Sequence, residues 1–258
     1  MTTTPFDSLF NRAFAPYRKF PKFMAKFILL VFLPELFLGI AKFSTDLIRL
    51  VYGSAITYGV ALIVGGVVVS IISLWFNLAF IRAVLDIDNG SAPEKLSVYL
   101  KKTRGFIIPA IGLTLLVSLV VLGGFILLII PGCIFSIWFV FTLQARILDE
   151  KKGMQSLTYS KSLVSGNWWA IFFRIAVSVI FVSFLLGVFG KIIDVLFQIN
   201  LNALTFQKLT IISLIATILV SFAQAALTPF ATAIPTILYL DLRKAKQIPN
   251  DPLEPPTV

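Results

Sequence analysis

The 258-residue chain contains no histidine. That absence removes imidazole metal sites, the commonest general base and the commonest proton relay together. The only cysteine, Cys133, stands in an apolar stretch, so no disulfide framework exists. Charge is scarce as well: Asp, Glu, Lys and Arg supply 13% of residues, about half the usual share of a soluble domain. Hydrophobic residues fill the difference, at 58% and a mean hydropathy of +0.96. A soluble fold of this length has no interior large enough for them.

About twenty apolar residues cross a bilayer, and the apolar runs give about six spans. The first covers about Phe23 to Phe43 and contains Pro34-Glu35. The second, about Ala55 to Leu85, is longer than a bilayer needs and tilts or protrudes. Phe106 to Leu148 is too long for one span, and Pro131-Gly132 is the natural turn, making a tight hairpin of spans three and four. The fifth runs from Trp168 to about Phe189 or Gln198, and the sixth from about Leu209 to Leu240. The expected fold is therefore an all-α integral membrane protein, with the spans in residues 23–246.

Residues 1–22 lack the apolar core of a cleavable signal. Phe6, Leu9, Phe10, Ala13, Phe14 and Tyr17 share one helix face. With Thr4 as cap, Pro5 in the first turn and Pro16 at the end, this is a short amphipathic helix expected to lie on the membrane surface. The tail, 247–258, is Pro-rich and polar and is expected to be flexible.

Two stretches interrupt the apolar runs with half-polar helices. "APEKLSVYLKKTRGFII" places Leu96, Tyr99 and Leu100 on one face and reaches Gly105. "EKKGMQSLTYSKSLVSGNWWAIF" places Met154, Leu157, Lys161 and Val164 near one face and reaches Gly166. Both are expected to be elbows in the membrane interface, with Tyr99, Leu157, Trp168 and Trp169 as interfacial anchors. Leu96 and Leu157, Ser97 and Thr158, and Gly105 and Gly166 align at a constant offset of 61. Spans two–three and four–five thus read as parallel repeats about an axis along the membrane normal.

Lys and Arg set the orientation. Arg12, Arg18, Lys19, Lys22, Lys26, Arg82, Lys95, Lys101, Lys102, Arg104, Arg146, Lys151, Lys152, Lys161, Arg243, Lys244 and Lys246 fall on one side of the six-span arrangement, seventeen in all. Lys42, Arg49, Lys191 and Lys208, four in all, fall on the other, and Arg174 lies inside a span. The positive-inside rule puts the seventeen, and both termini, in the cytoplasm of a multi-pass cell-membrane protein. The same distribution accounts for the net charge of +10 through lipid headgroups rather than nucleic acid.

The stretch from "LLIIPGC" to "SGNWW", followed by "TPFATAIPTILYLDLR", resembles the membrane domain found beside some bacterial glycerophosphoryl diester phosphodiesterases. It is also similar to stand-alone six-span bacterial membrane proteins. The matching features are Ile130-Pro131-Gly132, the Ser-rich elbow, Gly166-Asn167-Trp168-Trp169 and Tyr239 to Arg243. In relatives that carry the enzyme, catalysis belongs to a soluble domain needing His and metal-binding carboxylates. That domain is missing here, so the resemblance implies a membrane module without the phosphodiesterase activity.

Candidate polar positions within the spans are Glu35, Asn77, Arg82, Gln144, Arg146, Arg174 and Gln224. Glu35 either lines a polar site beside the carbonyl freed by Pro34, or lies near the outer interface. Arg174 snorkels to headgroups or pairs with a carboxylate such as Asp149. Asn77, Arg82, Gln144 and Arg146 occupy similar places in the two repeats, as helix-to-helix glue or as a shared anion-binding cleft. Gln224 reads as glue, and Arg243 as a cation capping the last helix. No metal or cofactor site and no catalytic constellation is expected. The functional expectation is a non-catalytic module that engages membrane lipids, a membrane-protein partner or a second copy. The alternative is a small-solute or lipid-headgroup transporter with a cleft between the repeats. The orientation is testable: cysteines placed at Ser97 and Thr257 should resist a membrane-impermeant thiol reagent in intact cells, and one at Asn202 should react. Reaction at Ser97 from outside would overturn the assignment.

Overall fold

The computed structural model describes residues 5–52, 56–198 and 206–246. The Pro-rich tail, Thr4, Asn202 and the side chains of Lys42, Arg49 and Lys208 lie outside the described residues. Ten α-helices and no strand are present among the described residues. They are α1 Phe6–Lys19, α2 Pro21–Tyr52, α3 Ile56–Asp88, α4 Leu96–Thr103, α5 Ile107–Leu127, α6 Ile129–Trp138, α7 Thr142–Leu148, α8 Met154–Val164, α9 Trp168–Gln198 and α10 Phe206–Ala245. Six segments are long and apolar enough to cross a bilayer. The protein is an all-α membrane bundle. Its long helices are apolar nearly all round, as a helix with lipid on one side and protein on the other must be.

Helix α10 is the spine. It packs along α2, α3, α9 and α1. Approach to α2 is close at Gly39, where an added Cβ would stand 2.7 Å from the Thr217 methyl and 3.0 Å from Ser221 Oγ. The helix remains continuous through Pro229 and Pro235. Thr228, Thr232 and Thr236 lie one turn apart, each hydroxyl within hydrogen-bond distance of the carbonyl four residues earlier. The main core is aromatic: Phe27 meets Phe80 at 4.6 Å between centroids, and Phe14 meets Phe230 at 4.4 Å.

The N-terminal helix departs from expectation. Pro16 does not end α1; it is buried within it, and the helix continues to Lys19. Leu9 and Ala13 are fully buried. Phe10 packs edge-on against Phe181 and Phe230, and Tyr17 donates to the Ala226 carbonyl at 2.6 Å. Phe181 lies thirteen residues past Trp168, roughly 20 Å along α9 at 1.5 Å per residue. α1 is therefore sunk into the bundle rather than spread on the membrane. Burial also raises the Tyr17 phenol well above its ordinary value.

The hairpin turns elsewhere than predicted. Leu128 is the break, in extended conformation, and Pro131 sits in the first turn of α6, where a missing N–H costs no helical bond. Gly132 acts instead in packing: a Cβ there would enter the ring of Phe125. Facing it, a Cβ on Gly124 would lie 2.8 Å from Phe135 and 3.0 Å from the Gly132 backbone. The two glycines let α5 and α6 touch backbone to backbone. Beyond this contact the hairpin projects from the bundle, with Ile126 to Ile130 all exposed.

The elbows join their spans differently. After α4 the chain passes through a 3-10 turn, Arg104–Phe106, straight into α5, and Gly105 has no left-handed conformation. After α8 the helix stops at Val164, and Gly166 adopts φ +88°, which favours glycine. The offset of 61 thus matches the order of elements but not the conformation of the two glycines.

Gly132→Ala should lower the melting temperature of the detergent-purified protein, by about 1–3 kcal/mol of overpacking. Adding Phe125→Ala should restore part of the loss. Unchanged melting of the single variant would show that the hairpin does not rely on this approach.

Candidate functional site

Polar side chains gather at one end of the bundle, where α3, α7 and α10 finish. The last turns of α10 read Tyr239-Leu240-Asp241-Leu242-Arg243-Lys244. Helical spacing deals these residues to two sides, since positions four apart share a face. Tyr239 and Arg243 both reach Asp149: Arg243 at 2.9 Å, with both side chains at most one-tenth exposed, and Tyr239 through its hydroxyl. Tyr159 stands alongside. Burial and the Asp149 charge push its phenol up to about 12, so it remains a neutral hydroxyl at neutral pH.

On the other side, Arg12 of α1 joins Asp88 and Asp241. It meets Asp88 at 2.6 Å and Asp241 at 2.8 Å, while Lys244 adds a contact to Asp88 at 3.3 Å. Burial opposes the Arg12 charge, but hydrogen bonds to Asp241 and Asp88 outweigh it and hold the guanidinium above its ordinary value. The expected role of Arg243 as a simple helix cap is thus replaced by a buried ion pair. Asp149 belongs to Arg243 rather than to Arg174. The partners were missed because they come from distant helices. The available signal was Asp88 and Asp149 themselves, 61 residues apart, each closing a span opposite the basic end of α10.

The four residues read as helix-to-helix glue or as a shared anion-binding cleft do not all come together. Asn77 Oδ1 accepts from Thr232 at 2.6 Å, joining α3 to α10; here the glue reading describes the contact. Gln144 is buried in α7 with its Oε1 unpartnered, and residues two apart on a helix are turned about 200° from each other, so it points away from Arg146. Arg82 and Arg146 do converge. Their guanidinium carbons lie 5.2 and 5.0 Å from the centroid of one ring, Phe106.

The remaining positions are dispersed. Glu35 is half-buried on α2, in register with Phe32, which meets Phe222, and with Gly39, which faces Thr217 and Ser221. Ser221 is twenty residues before Asp241, about 30 Å along α10, so this level is near the opposite end of a bilayer-deep bundle. Arg174 is buried under the Phe6 ring at 5.4 Å and donates to the Ala170 carbonyl at 2.8 Å. Gln224 is exposed on α10, so it is not buried glue.

Of the expected anchors, Tyr99 and Leu157 are buried inside the protein. The Tyr99 hydroxyl donates to Asp86 at 2.5 Å and accepts from the Glu94 N–H at 3.0 Å, making it a strut between α3 and α4 rather than a headgroup contact. Trp169 is 66% exposed and suits an anchor. Trp168 is half-buried, stacked on Phe172 at 5.2 Å, with its indole nitrogen enclosed and unpartnered.

A groove of about 660 Å³ runs between α6 and the start of α9. Ile130, Cys133, Ile134, Trp138, Trp168 and Phe172 line it, together with Ser165 and Gly166. Lys161 holds its ammonium 4.2 Å from the Trp138 ring centroid. Among the described residues no group of His, Cys, Asp or Glu is disposed to hold a metal ion.

These features define the class: a multi-pass helical membrane protein with its ion pairs at one end and an apolar groove on its flank. Comparison with family models, curated proteins and solved structures finds no match.

Replacing Asp149 alone by Leu should cost about 3–5 kcal/mol, because Arg243 would be left buried without its partner. The double variant Asp149→Leu/Arg243→Leu should recover most of that in a thermal melt. A double variant as unstable as the single one would show that the pair is not what holds α10 to the α7–α8 turn.

Proposed function

We propose that the protein is a non-catalytic membrane module that holds lipid against its flank. The observation that carries this reading is the groove between α6 and α9. It is apolar, its volume is within the ordinary range of ligand sites, and its walls are membrane-spanning segments. An acyl chain is the ligand such a place meets first. Aromatic rings line it at the level where the chain re-enters the membrane, and indoles sit well at headgroup depth.

The polar residues support the same reading. Arg82 faces Phe106, Arg174 faces Phe6 and Glu35 sits at a different level on α2, so they do not line a common path as a transport cleft requires. The likeness to the phosphodiesterase membrane domain belongs to this proposal too, resting on Ile130 to Gly132, Gly166 to Trp169 and Tyr239 to Arg243. The base-rich end, with the ion pairs and both elbows, is the cytoplasmic one in this reading.

Cys133→Trp should fill the groove while leaving the ion-paired end intact. In mild detergent the wild type should retain phospholipid by native mass spectrometry, and this variant should retain at least one molecule fewer. Wild-type protein that sheds all lipid without a change in melting temperature, or that carries solute across a vesicle wall, would overturn the module reading.

A further inference from the structure

Arg82 has an unusual environment for an arginine near a membrane interface. It makes no hydrogen bond to any described residue. Among the described residues its only ion-pair contact is Glu150, at 3.8 Å, and that carboxylate side chain is 71% exposed. Its Nε is enclosed and unpartnered. Arg146 is little better served: its Nη1 reaches the carbonyls of Glu150 and Lys151 at 3.3 Å each, and its Nε is enclosed and unpartnered as well. Yet α3 and α7 bring both guanidinium groups onto the same ring, Phe106. An aromatic face offsets part of a cation's desolvation, but it does not saturate an N–H fork.

Two further cations are close in sequence: Lys151, whose ammonium stands 5.4 Å from the Tyr159 ring centroid, and Arg104, which precedes Phe106 in the 3-10 turn. Glu150, at φ +51°, lies in the left-handed region that non-glycine residues rarely occupy, so the turn beside the pair is held in a special conformation. Two like charges against one ring, neither with its N–H groups fully paired among the described residues, are complementary to an oxyanion. A phosphate fits best, since planar guanidinium forks bind its oxygens two at a time.

We infer that Arg82 and Arg146, braced on Phe106, form a binding site for a phosphate group. Arg82 lies six residues before Asp88, at the end of α3, roughly 9 Å along the helix. That depth is within reach of the phosphate of a membrane lipid, and a soluble phosphate arriving from the same side presents the same chemistry. This site is separate from the α6–α9 groove, although a lipid source for the phosphate rests on the module reading.

The test uses full-length protein in a zwitterionic detergent at fixed ionic strength. Its melting temperature is measured with added phosphatidylglycerol, with phosphatidylcholine and with inorganic phosphate. Wild type should be raised by phosphatidylglycerol several degrees more than by phosphatidylcholine. Arg82→Gln and Arg146→Gln should each lose most of that difference, with at least tenfold weaker apparent binding. Without added ligand Arg82→Gln should melt no lower than wild type, because it removes like-charge repulsion and gives up no hydrogen bond to a described residue. Arg146→Gln also loses its bonds to the Glu150 and Lys151 carbonyls and is read by its lipid difference alone. Arg82→Lys keeps the charge without the fork and should fall between.

A wild-type shift produced equally by inorganic phosphate supports the site and assigns it to a soluble ligand. If no phosphate-bearing ligand raises the wild type above phosphatidylcholine, or both Gln variants respond fully, the site is overturned. Lipid retained in the α6–α9 groove would still stand in that case. Loss of groove lipid with an intact Arg82-dependent phosphate response would instead sink the module reading and leave this one.

Discussion

A carboxylate enclosed as Asp149 is needs a partner, and Arg243 supplies one at 2.9 Å from the far end of the chain. In a setting of low dielectric, breaking such a pair leaves a charge with nowhere to go. The pair fixes the rotation of α10 about its own axis. Once Arg243 and Tyr239 face the α7–α8 turn, Asp241 and Lys244 must face α1 and α3, where Arg12 and Asp88 wait. The register of the spine then sets which apolar residues meet below: Phe230 against Phe10, Phe14 and Phe181, and Thr232 against Asn77. Polar contacts at one end thus select a single arrangement among the many that greasy helices would otherwise tolerate.

The opposite constraint governs the α5–α6 hairpin. No ion pair holds it among the described residues, and its approach depends on missing atoms at Gly124 and Gly132. In lipid there is little hydrophobic driving force between helices, so close backbone packing takes its place. The hairpin meets the bundle through the base of α5, where Ala110 and Leu113 are buried, and through the end of α6, where Ile137 packs beside Leu163 and Val164. Its exposed far half leaves the flank of α9 uncovered, and the apolar groove follows from that gap. In the two readings proposed above, the arginine pair of α3 and α7, beside Phe106 at the base of α5, and the groove between α6 and α9 would both meet lipid.

Hydropathy is a local property, so the sequence by itself determined the class, the approximate spans and the two short half-polar helices α4 and α8. It also separated the charged end from the apolar remainder. Pro131-Gly132 marked the right neighbourhood for the hairpin, but the turn went to Leu128, since proline is accommodated in a first helical turn. Pro16 was misread for the mirror reason: packing of α1 on its neighbours outweighs one lost helical hydrogen bond.

Partner identity was decided only in three dimensions. Asn77, Arg82, Gln144 and Arg146 look alike in a hydropathy trace, yet one bonds Thr232, one is buried with an open oxygen and two share a ring. Arg12 and Asp241 are 229 residues apart, and nothing in the composition of either neighbourhood names the other. A charge near a membrane can be satisfied by headgroups, by water or by another helix. Which one prevails depends on the rotation and neighbours of each helix, and those are properties of the packed bundle.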